Sequence, residues 1–453
     1  MAWSFALFPW LSALCALALF INFLSKLKNK SSKPLPPGPP GWPLVGNIFD
    51  LGEIPHQTFY KLQAQYGPVI MLKLGSINTM VVQSAEAASE LFKKCDLPFA
   101  DRKAPDSLTA LGYNQGSVAI GVYSGYCRKV RRIGTTEFLV NKRVNASIPL
   151  RQKCIDDMIG WIKKDVAKSK ENGGSGEIQL DWFLFVTSFN TVGNLMLSRE
   201  VMDAKLDRAS DFFDAFVVFL EWVGKPNVAD FFPFLKWMDP QGIKRNTATY
   251  LERLLGFASE IVKERIEERE LGKEKKTNDF LDALLDEGEV NEKGVDKLSL
   301  KNITIVLLAT VKEILRLHPA IQMLLPRNAI EDTEFMGYFV PKNTQIFVNA
   351  WAIHRDPSVW PDPLAFKPER FLDSDIDFKG QHFDMIPFGS GRRSCLGLTL
   401  GHRMVCLSIA SLLQTFDWKL PDGAKPEDMD MREMLGLTLR KKVPLKVIPI
   451  LRE

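Results

Sequence analysis

The sequence predicts a mainly α-helical protein with a minor β-sheet. Two patches alternate apolar and polar residues as strands do: 69–74 with 79–83, around Gly75, and 330–349. Apolar residues recur at helical spacing in four further stretches. These stretches are 85–94, 150–168, 204–220 and 242–268. With 46% hydrophobic residues and no internal repeat, the chain is expected to form one compact domain around a large core.

Residues 1–25 are predicted to anchor the chain in a membrane. No charged residue lies between Phe5 and Leu24, and about 20 apolar residues are needed to cross a bilayer. Lysines follow this segment directly and none precedes it, so the positive-inside rule predicts a single-pass protein whose bulk lies in the cytosol. A cleaved signal peptide is the alternative interpretation.

After the anchor, the sequence predicts a basic and proline-rich hinge at 26–47 and a single domain at 48–453. The prolines of the hinge favour a stiff, extended linker. The chain contains 58 Lys and Arg against 54 Asp and Glu, and a net charge of +4 is too small to indicate a nucleic-acid partner. Its six cysteines form no C-x-x-C pair, which indicates reduced thiols rather than a disulfide framework.

One loop near the C terminus carries the pattern of a metal-binding cysteine. Phe388, Gly391, Arg393, Cys395 and Gly397 follow one another at spacings of 3, 2, 2 and 2. Cysteine binds metal as the thiolate, and a neighbouring arginine and a helix predicted at 398–416 would both lower its pKa. The glycines would let the loop fold tightly and let a flat cofactor approach the main chain. For a cysteine among glycines alone, a small loop residue without function is the alternative.

This full pattern is similar to the haem-binding signature of the cytochrome P-450 superfamily. The resemblance implies that Cys395 is the axial thiolate of haem b, iron protoporphyrin IX, and favours cleavage of the O–O bond. It also implies that Arg393 pairs with a haem propionate and that Phe388 shields the sulfur.

Two further motifs support the same family. Glu313 and Arg316 are three residues apart and would share one face of a helix. In the family, a second arginine from a Pro-Glu-Arg-Phe run, here Arg370, joins this pair and locks the core behind the haem. Arg131 and Arg327 resemble partners of the haem propionates, although an ordinary arginine at a strand edge remains the alternative for Arg327.

The chain departs from the family pattern at two places. The motif with an acid followed by threonine, which delivers protons to bound dioxygen, is absent. Only thirteen residues, 298–310, precede the Glu313 motif, whereas a helix that crosses a domain of about 30 Å needs roughly 20. We therefore predict an incomplete central helix and a segment missing near 308–311. Cys127 also occupies a position where the family usually has tryptophan, so haem anchoring there should be weaker.

The runs 47–49 and 375–383 resemble plant microsomal members, especially geraniol 8-hydroxylase-like oxidases. The resemblance implies a monooxygenase of the endoplasmic reticulum in terpenoid metabolism, which hydroxylates a small apolar molecule such as a monoterpene alcohol. It would use O2 and electrons from an NADPH-dependent flavoprotein reductase that docks on a basic surface. Candidate residues for that surface are Arg128, Lys129 and Arg132, for which a solvated helix face is the alternative.

By the same resemblance, three segments would line the substrate pocket, 100–120, 320–325 and 436–439. All three are mainly apolar or small, which favours an apolar substrate. The phenylalanines between Phe212 and Phe234 are expected to form either a membrane-facing entrance or helix core. The competing hypothesis for the whole chain is a truncated, catalytically impaired isoform that binds haem or the reductase without turnover.

Overall fold

The fold is mainly helical with small sheets. A computed structural model describes residues 33–139, 141–197, 207–270, 311–372, 374–434 and 436–452. Residues 311–317 are helical, and the remaining longer helices carry labels here. They are α1 (Pro55–Tyr66), α2 (Ala85–Lys93), α3 (Gly125–Ile133), α4 (Asn141–Ala146), α5 (Ile148–Glu171), α6 (Leu180–Leu197), α7 (Asp207–Gly224), α8 (Ile243–Glu270) and α9 (Leu398–Thr415). The four helical stretches predicted from periodicity correspond to α2, α5, α7 and α8.

The strands form one four-stranded sheet and three smaller sheets. They are β1 (Val69–Leu74), β2 (Ile77–Val82), β3 (Ile178–Gln179), β4 (Arg327–Asn328), β5 (Thr333–Phe335), β6 (Tyr338–Val340), β7 (Gln345–Val348), β8 (Phe416–Lys419), β9 (Glu433–Met434), β10 (Arg440–Lys441) and β11 (Lys446–Leu451). The main sheet has the order β1-β2-β7-β4, and only the β2–β7 pairing is parallel. The other sheets are β3-β11-β8, β5-β6 and β9-β10.

The main sheet is buried on both faces, which explains the apolar character of β1 and β2. Ile70 and Leu72 face α1 and contact Phe59, whereas Val69 and Met80 pack against α2 in another cluster. The Ser84 side chain begins α2 by accepting the Ala87 N–H at 3.1 Å. The sheet therefore supports β4, which carries Arg327 towards the Cys395 loop.

A second core joins the helices. Residues from α5, α6 and α9 form one buried cluster that includes Met158, Phe183 and Met404. The aromatic residues of α6 and α7 pack beside it, with Phe189 and Phe212 ring centroids 4.7 Å apart. The phenylalanine stripe thus divides: its α7 members belong to helix core, whereas Phe234 is 70% exposed.

The predicted anchor at 1–25 lies outside the described residues, as do residues 298–310. Within the described part of the chain, no helix combines the length and hydropathy needed to cross a membrane. The described part of the hinge has no regular secondary structure at 34–41 and turns back at 42–46, where Trp42 and Gly46 pair through their backbones. It lies along the domain rather than apart from it. The carbonyls of Pro34 and Pro37 accept the N–H groups of Phe339 and Met71 at 2.9 and 2.8 Å.

Candidate functional site

The Cys395 loop folds tightly because two of its glycines have left-handed backbone angles. Gly389 and Gly391 have φ values of 67° and 69°, which favour glycine. A Cβ on Gly391 would lie 2.6 Å from a carboxylate oxygen of Asp96, so no larger residue fits there. The Cys395 N–H donates to the Phe388 carbonyl at 2.9 Å and closes the loop. Gly397, by contrast, has φ −81°, so the expectation of an unusual backbone angle at that residue is wrong.

The Cys395 side chain is exposed and lies just before α9. Desolvation by the surrounding protein raises the pKa of its thiol, and this outweighs the N–H groups of Gly397 and Leu398 and the charge of Arg131. The expected lowering of the Cys395 pKa is therefore wrong for the protein without a metal. The predicted arginine and helix end are present, but they only reduce the rise.

Phe388 forms the apolar floor of the loop. Its ring lies 5.9 Å from that of Phe378, in a cluster that also contains Met385 and Leu398. Gly401 of α9 faces this ring, and a Cβ there would lie 3.8 Å from it, at ordinary van der Waals distance. The loop is thus held between α9 and this cluster.

Four arginines converge beside the loop. They are Arg102, Arg131, Arg327 and Arg393, and we call them the arginine group. Burial, followed by repulsion from the other three guanidinium groups, lowers the pKa of Arg102 to about 9. Burial and the charge of Arg393 likewise lower the pKa of Arg131. The four cations are close enough to repel one another, so an anion placed between them would be stabilised.

Two members of the arginine group are tied mainly to the backbone and to one acid. Arg327 donates to Asp96 Oδ1 at 2.7 Å and to the Ser390 carbonyl at 3.0 Å. Arg393 donates to the carbonyls of Ala100 and Gly121 at 2.8 and 2.7 Å. These bonds hold both side chains against the Cys395 loop.

Arg393 also lies 3.3 Å from the sulfur of Cys127, the residue in the usual tryptophan position. Cys127 is buried, so it fills this space as a small apolar side chain. Its sulfur is only a weak acceptor, and it offers no strong donor to an anion.

The other two members of the arginine group have donors to spare. Arg131 donates to the Ser394 carbonyl at 2.6 Å, and Arg102 donates to the Pro326 carbonyl at 3.2 Å. The Nε of Arg102 is buried and has no partner among the described residues. An arginine has five N–H groups, so each of these two side chains can still bind an anion.

Together these features fit a flat cofactor that carries carboxylates. A tight loop presents the exposed sulfur of Cys395, and a cationic cluster beside it leaves a buried N–H unpartnered. Haem has an iron for the sulfur and two propionates for the arginines. Sequence reasoning missed Arg102 and Asp96, which belong to none of the motifs described above.

The Glu313 motif forms a lock behind this loop, in which Glu313 and Arg316 are fully buried and Arg370 is 11% exposed. The Glu313 carboxylate accepts from Arg316 at 2.7 and 2.8 Å and from Arg370 at 3.2 Å. Burial alone would raise the pKa of Glu313, but the hydrogen bonds from Arg316 and from the Lys367 N–H hold it below its ordinary value. The structure thus brings all three predicted residues together.

His354 connects this lock to the Cys395 loop. The Arg316 Nη1 donates to the His354 carbonyl at 2.8 Å, and the ring Nε2 of His354 accepts the Ile386 N–H at 2.9 Å. Ile386 lies two residues before Phe388. Because Nε2 accepts, Nδ1 carries the proton and faces the Arg316 carbonyl at 3.2 Å.

The segments predicted to line a pocket also meet. The Leu439 N–H donates to the Ala320 carbonyl at 2.9 Å, which joins the last two segments. Leu437 packs in one cluster with Leu108 and Ile120 of the first segment. Phe219 of α7 and Leu251 of α8 complete this apolar wall.

Comparison with known proteins gives the chain its family. The family model described as Cytochrome P-450 matches residues 36–309 and, separately, 305–447. Iridoid oxidase of Catharanthus roseus is 49% identical over 465 residues, with 90% of each chain covered. Cytochrome P-450 76A2 of Solanum melongena is 44% identical, with 90% of this chain and 91% of the relative covered. Geraniol 8-hydroxylase of Catharanthus roseus is 34% identical, with 90% and 92% covered.

The two separate matches meet where the central helix was predicted to be incomplete. The alignment with iridoid oxidase extends over 465 positions but includes 90% of a 453-residue chain, so that relative contains residues without a counterpart here. The two matches of the family model together cover residues 36–447. This chain therefore belongs to the cytochrome P-450 family, whose members are haem-dependent monooxygenases.

Proposed function

We propose that the chain holds haem b with Cys395 as the axial ligand. The observation that carries this proposal is the exposed sulfur beside the arginine group, on a loop whose glycines let a flat molecule lie close. When bound, a thiolate-ligated haem supplies the activation of O2 for insertion of one oxygen atom into a C–H bond. Iron binding would remove the thiol proton and so offset the raised pKa of Cys395.

The residues around the sulfur would tune this ligand. The N–H groups of Gly397 and Leu398 point at the sulfur and would withdraw electron density from the thiolate. Phe388 would cover the ligand from below and keep water away. Arg131, Arg327, Arg393 and also Arg102 would bind the two propionates, while Glu313, Arg316 and Arg370 hold the loop from behind.

The substrate proposed is a small apolar molecule of the monoterpenoid class. The wall formed by Leu108, Ile120, Phe219 and Leu437 has no charged side chain, which suits a ligand with few polar groups. The names iridoid oxidase and geraniol 8-hydroxylase both indicate terpenoid oxidation in relatives. A monoterpene alcohol is therefore the first substrate to test.

Electrons would come from an NADPH-dependent flavoprotein reductase. Arg128, Lys129 and Arg132 are exposed on α3, and the neighbouring Arg131 donates to the Ser394 carbonyl of the Cys395 loop. This basic surface therefore lies beside the proposed haem ligand. An acidic reductase surface would be attracted to it.

We also propose a single-pass location in the endoplasmic reticulum membrane, with the domain in the cytosol. Two exposed apolar segments support it: Trp42 and Leu44 are 65% and 73% exposed, and Phe234 and Trp237 are 70% and 83% exposed. Both segments flank the turn at Gly75, whose N–H donates to the Val45 carbonyl, while Ser76 donates to the Phe231 carbonyl. They thus form one surface that suits contact with lipid.

A truncated isoform with impaired turnover is the second candidate. Two observations favour it: the acid and threonine motif is absent from the sequence, and the family model matches in two pieces that meet at 305–309. Such a chain would hold haem or the reductase without efficient oxygen chemistry, because a wall of the pocket would be open to water. Sequencing the transcript across 308–311 distinguishes a real deletion from an incorrectly joined sequence.

The proposed function is tested by the reduced carbon monoxide difference spectrum of the membrane-expressed chain. A Soret band at the position of thiolate ligation, lost in Cys395→Ser, is the expected result. Incubation with reductase, NADPH and geraniol then separates the two candidates. Product formation supports the monooxygenase, whereas haem binding without product supports the impaired isoform. Protein without haem contradicts the monooxygenase, and it contradicts the impaired isoform as well if the protein also fails to bind the reductase.

A further inference from the structure

Asp96 is an acidic residue that contacts the arginine group. Among the residues that the structure describes, it is the only carboxylate paired with any of the four arginines. Its side chain is 12% exposed and follows α2 on a short turn. No sequence motif pointed to it, and the roles assigned so far leave it unused.

The two oxygens of Asp96 bind two different parts of the site. Oδ1 accepts from Arg327 Nη1 at 2.7 Å, while Oδ2 accepts the backbone N–H of Arg392 at 2.8 Å. Arg392 lies in the Cys395 loop, three residues before the sulfur ligand. Gly391 provides the space for this contact, since a Cβ would lie 2.6 Å from Oδ1. One carboxylate thus connects an arginine of β4 to the loop that carries the sulfur.

The carboxylate of Asp96 sets the direction of the Arg327 side chain and offsets part of the positive charge of the arginine group. Arg327 also donates to the Ser390 carbonyl, so Asp96 and Ser390 hold its guanidinium group from two sides and leave its other N–H groups for an anion. The negative charge of Asp96 offsets part of the repulsion among the four cations. Without it, the carbonyls of Ser390 and Phe99 would be the remaining partners of Arg327, and the loop would lose its only ionic tie to β4 within the described structure.

We propose that Asp96 is a positioning residue for the haem, which sets Arg327 and the Cys395 loop in one arrangement before the cofactor arrives. The proposal rests on the proposed haem function. Asp96 does not touch the reacting atoms; it acts through Arg327 and through the loop backbone. It therefore affects how long haem is retained and how easily its iron is reduced.

The test compares Asp96→Asn with Asp101→Asn in the full-length protein in membranes. Asp101 lies five residues after Asp96 and accepts the Tyr123 N–H at 2.8 Å, a bond that asparagine can keep. Asp96→Asn should raise the rate of haem transfer to apomyoglobin at least about tenfold, since it weakens two charge-assisted hydrogen bonds. Its reduction midpoint should move to a more positive potential, because a negative charge near the haem is lost. Asp101→Asn should change both quantities less.

The outcomes separate this proposal from the function on which it rests. If the wild-type chain shows no thiolate-ligated haem, the proposed function fails and the role of Asp96 fails with it. If wild-type binds haem and the two asparagine variants release it at the same rate as wild-type, only the positioning role is overturned. If Asp96→Asn does not fold, Asp96→Glu decides: it keeps the charge but displaces it, so faster haem loss supports positioning and unchanged loss overturns it.

Discussion

Two sets of buried arginines in this molecule differ in how completely the protein binds them. Arg316 uses all five of its N–H groups, two on Glu313 and three on the carbonyls of His354, Pro363 and Ala365. Arg102 uses one, on the Pro326 carbonyl, and its Nε has no partner in the part of the chain that the structure describes. Burial is similar in the two cases, but hydrogen bonding is not.

The difference separates residues that serve folding from residues that serve a ligand. A buried cation whose donors are all paired stabilises the native chain only as part of its network. A buried cation with unpaired donors destabilises the chain, and where several such cations converge a bound anion would relieve this cost. The Glu313 lock belongs to the first kind, and Arg102 and Arg131 of the arginine group belong to the second.

The largest effect is expected when the shared carboxylate of the lock, Glu313, is removed. Glu313→Gln leaves Arg316 and Arg370 without their shared carboxylate, and we expect the free energy of unfolding to fall by about 3 to 5 kcal/mol. Chemical denaturation with and without added haem measures it, and the loss should be similar in both. The control Glu369→Gln changes an exposed neighbour. If both variants lose the same amount, the lock does not have the stabilising role given to it here.

The arginine group should respond in the opposite way. Arg102→Met removes a repelled cation, so the apoprotein should become more stable by roughly 1 kcal/mol, within the range seen when buried ions are replaced by apolar residues. Haem affinity should fall about tenfold, because a charge-assisted hydrogen bond is lost. Thermal unfolding of the apoprotein and haem titration measure the two effects. Arg102→Lys, which keeps the charge, should give intermediate values, and a variant that loses both stability and affinity would contradict the distinction.

The free energy of unfolding should depend on pH through His354, which contacts the lock. Burial, followed by the charge of Arg355, lowers the pKa of His354 to about 3 from an ordinary value of 6.5. The unfolded chain therefore binds a proton at this residue more readily than the folded chain. Stability from neutral His354 is complete above pH 6.5 and decreases as the pH falls towards 3, by on the order of 1.4 kcal/mol per pH unit at most.

The measurement is the free energy of unfolding between pH 4.5 and 7 for wild-type and His354→Gln. The variant should lose part of the slope, since glutamine has no proton to gain. Glu313, whose pKa is also lowered, contributes mainly below its ordinary value of 4.5. The pKa values of His318 and His402 are lowered too, but both histidines are present in the two proteins, so the difference between the slopes reports His354. Equal slopes in the two proteins would show that His354 does not titrate as described.

The smallest effect is expected at Cys127. Cys127→Ala removes only a weak sulfur acceptor from Arg393, which keeps its carbonyl partners at 100, 118 and 121. Haem affinity should stay within about twofold of wild-type, and stability should fall by about 1 kcal/mol for the lost buried sulfur. A large loss of haem affinity at this residue would place Cys127 in the arginine group as a functional partner.

Much of the site could be predicted from the sequence, because its central residues lie in short motifs. The spacing of Phe388, Gly391 and Cys395 and the pair of Glu313 and Arg316 depends on local geometry, which periodicity and glycine positions encode. Asp96 and Arg102 could not be predicted in the same way. Asp96 meets Arg327 across 231 positions of the chain, and only the packing of α2 against the main sheet brings them together.

The direction of the pKa shift at Cys395 also could not be predicted from the sequence. The neighbouring arginine and the helix that follows were read correctly, but the sequence does not indicate how much protein surrounds the sulfur. That desolvation decides the direction of the shift. The residue type alone likewise does not determine the backbone angle, since Gly389 and Gly391 have left-handed angles and Gly397 does not.

The most direct measurement is the affinity of the apoprotein for iron protoporphyrin IX and for its dimethyl ester, which lacks the two carboxylate charges. If the arginine group is completed by the propionates and Cys395 holds the iron, the ester should bind at least about a hundredfold more weakly, since two charge-assisted contacts are lost. The spectrum of any ester that does bind should still show thiolate ligation. Equal affinity for the two compounds would contradict the account, because the unpaired donors of Arg102 and Arg131 would then have no part in holding the haem.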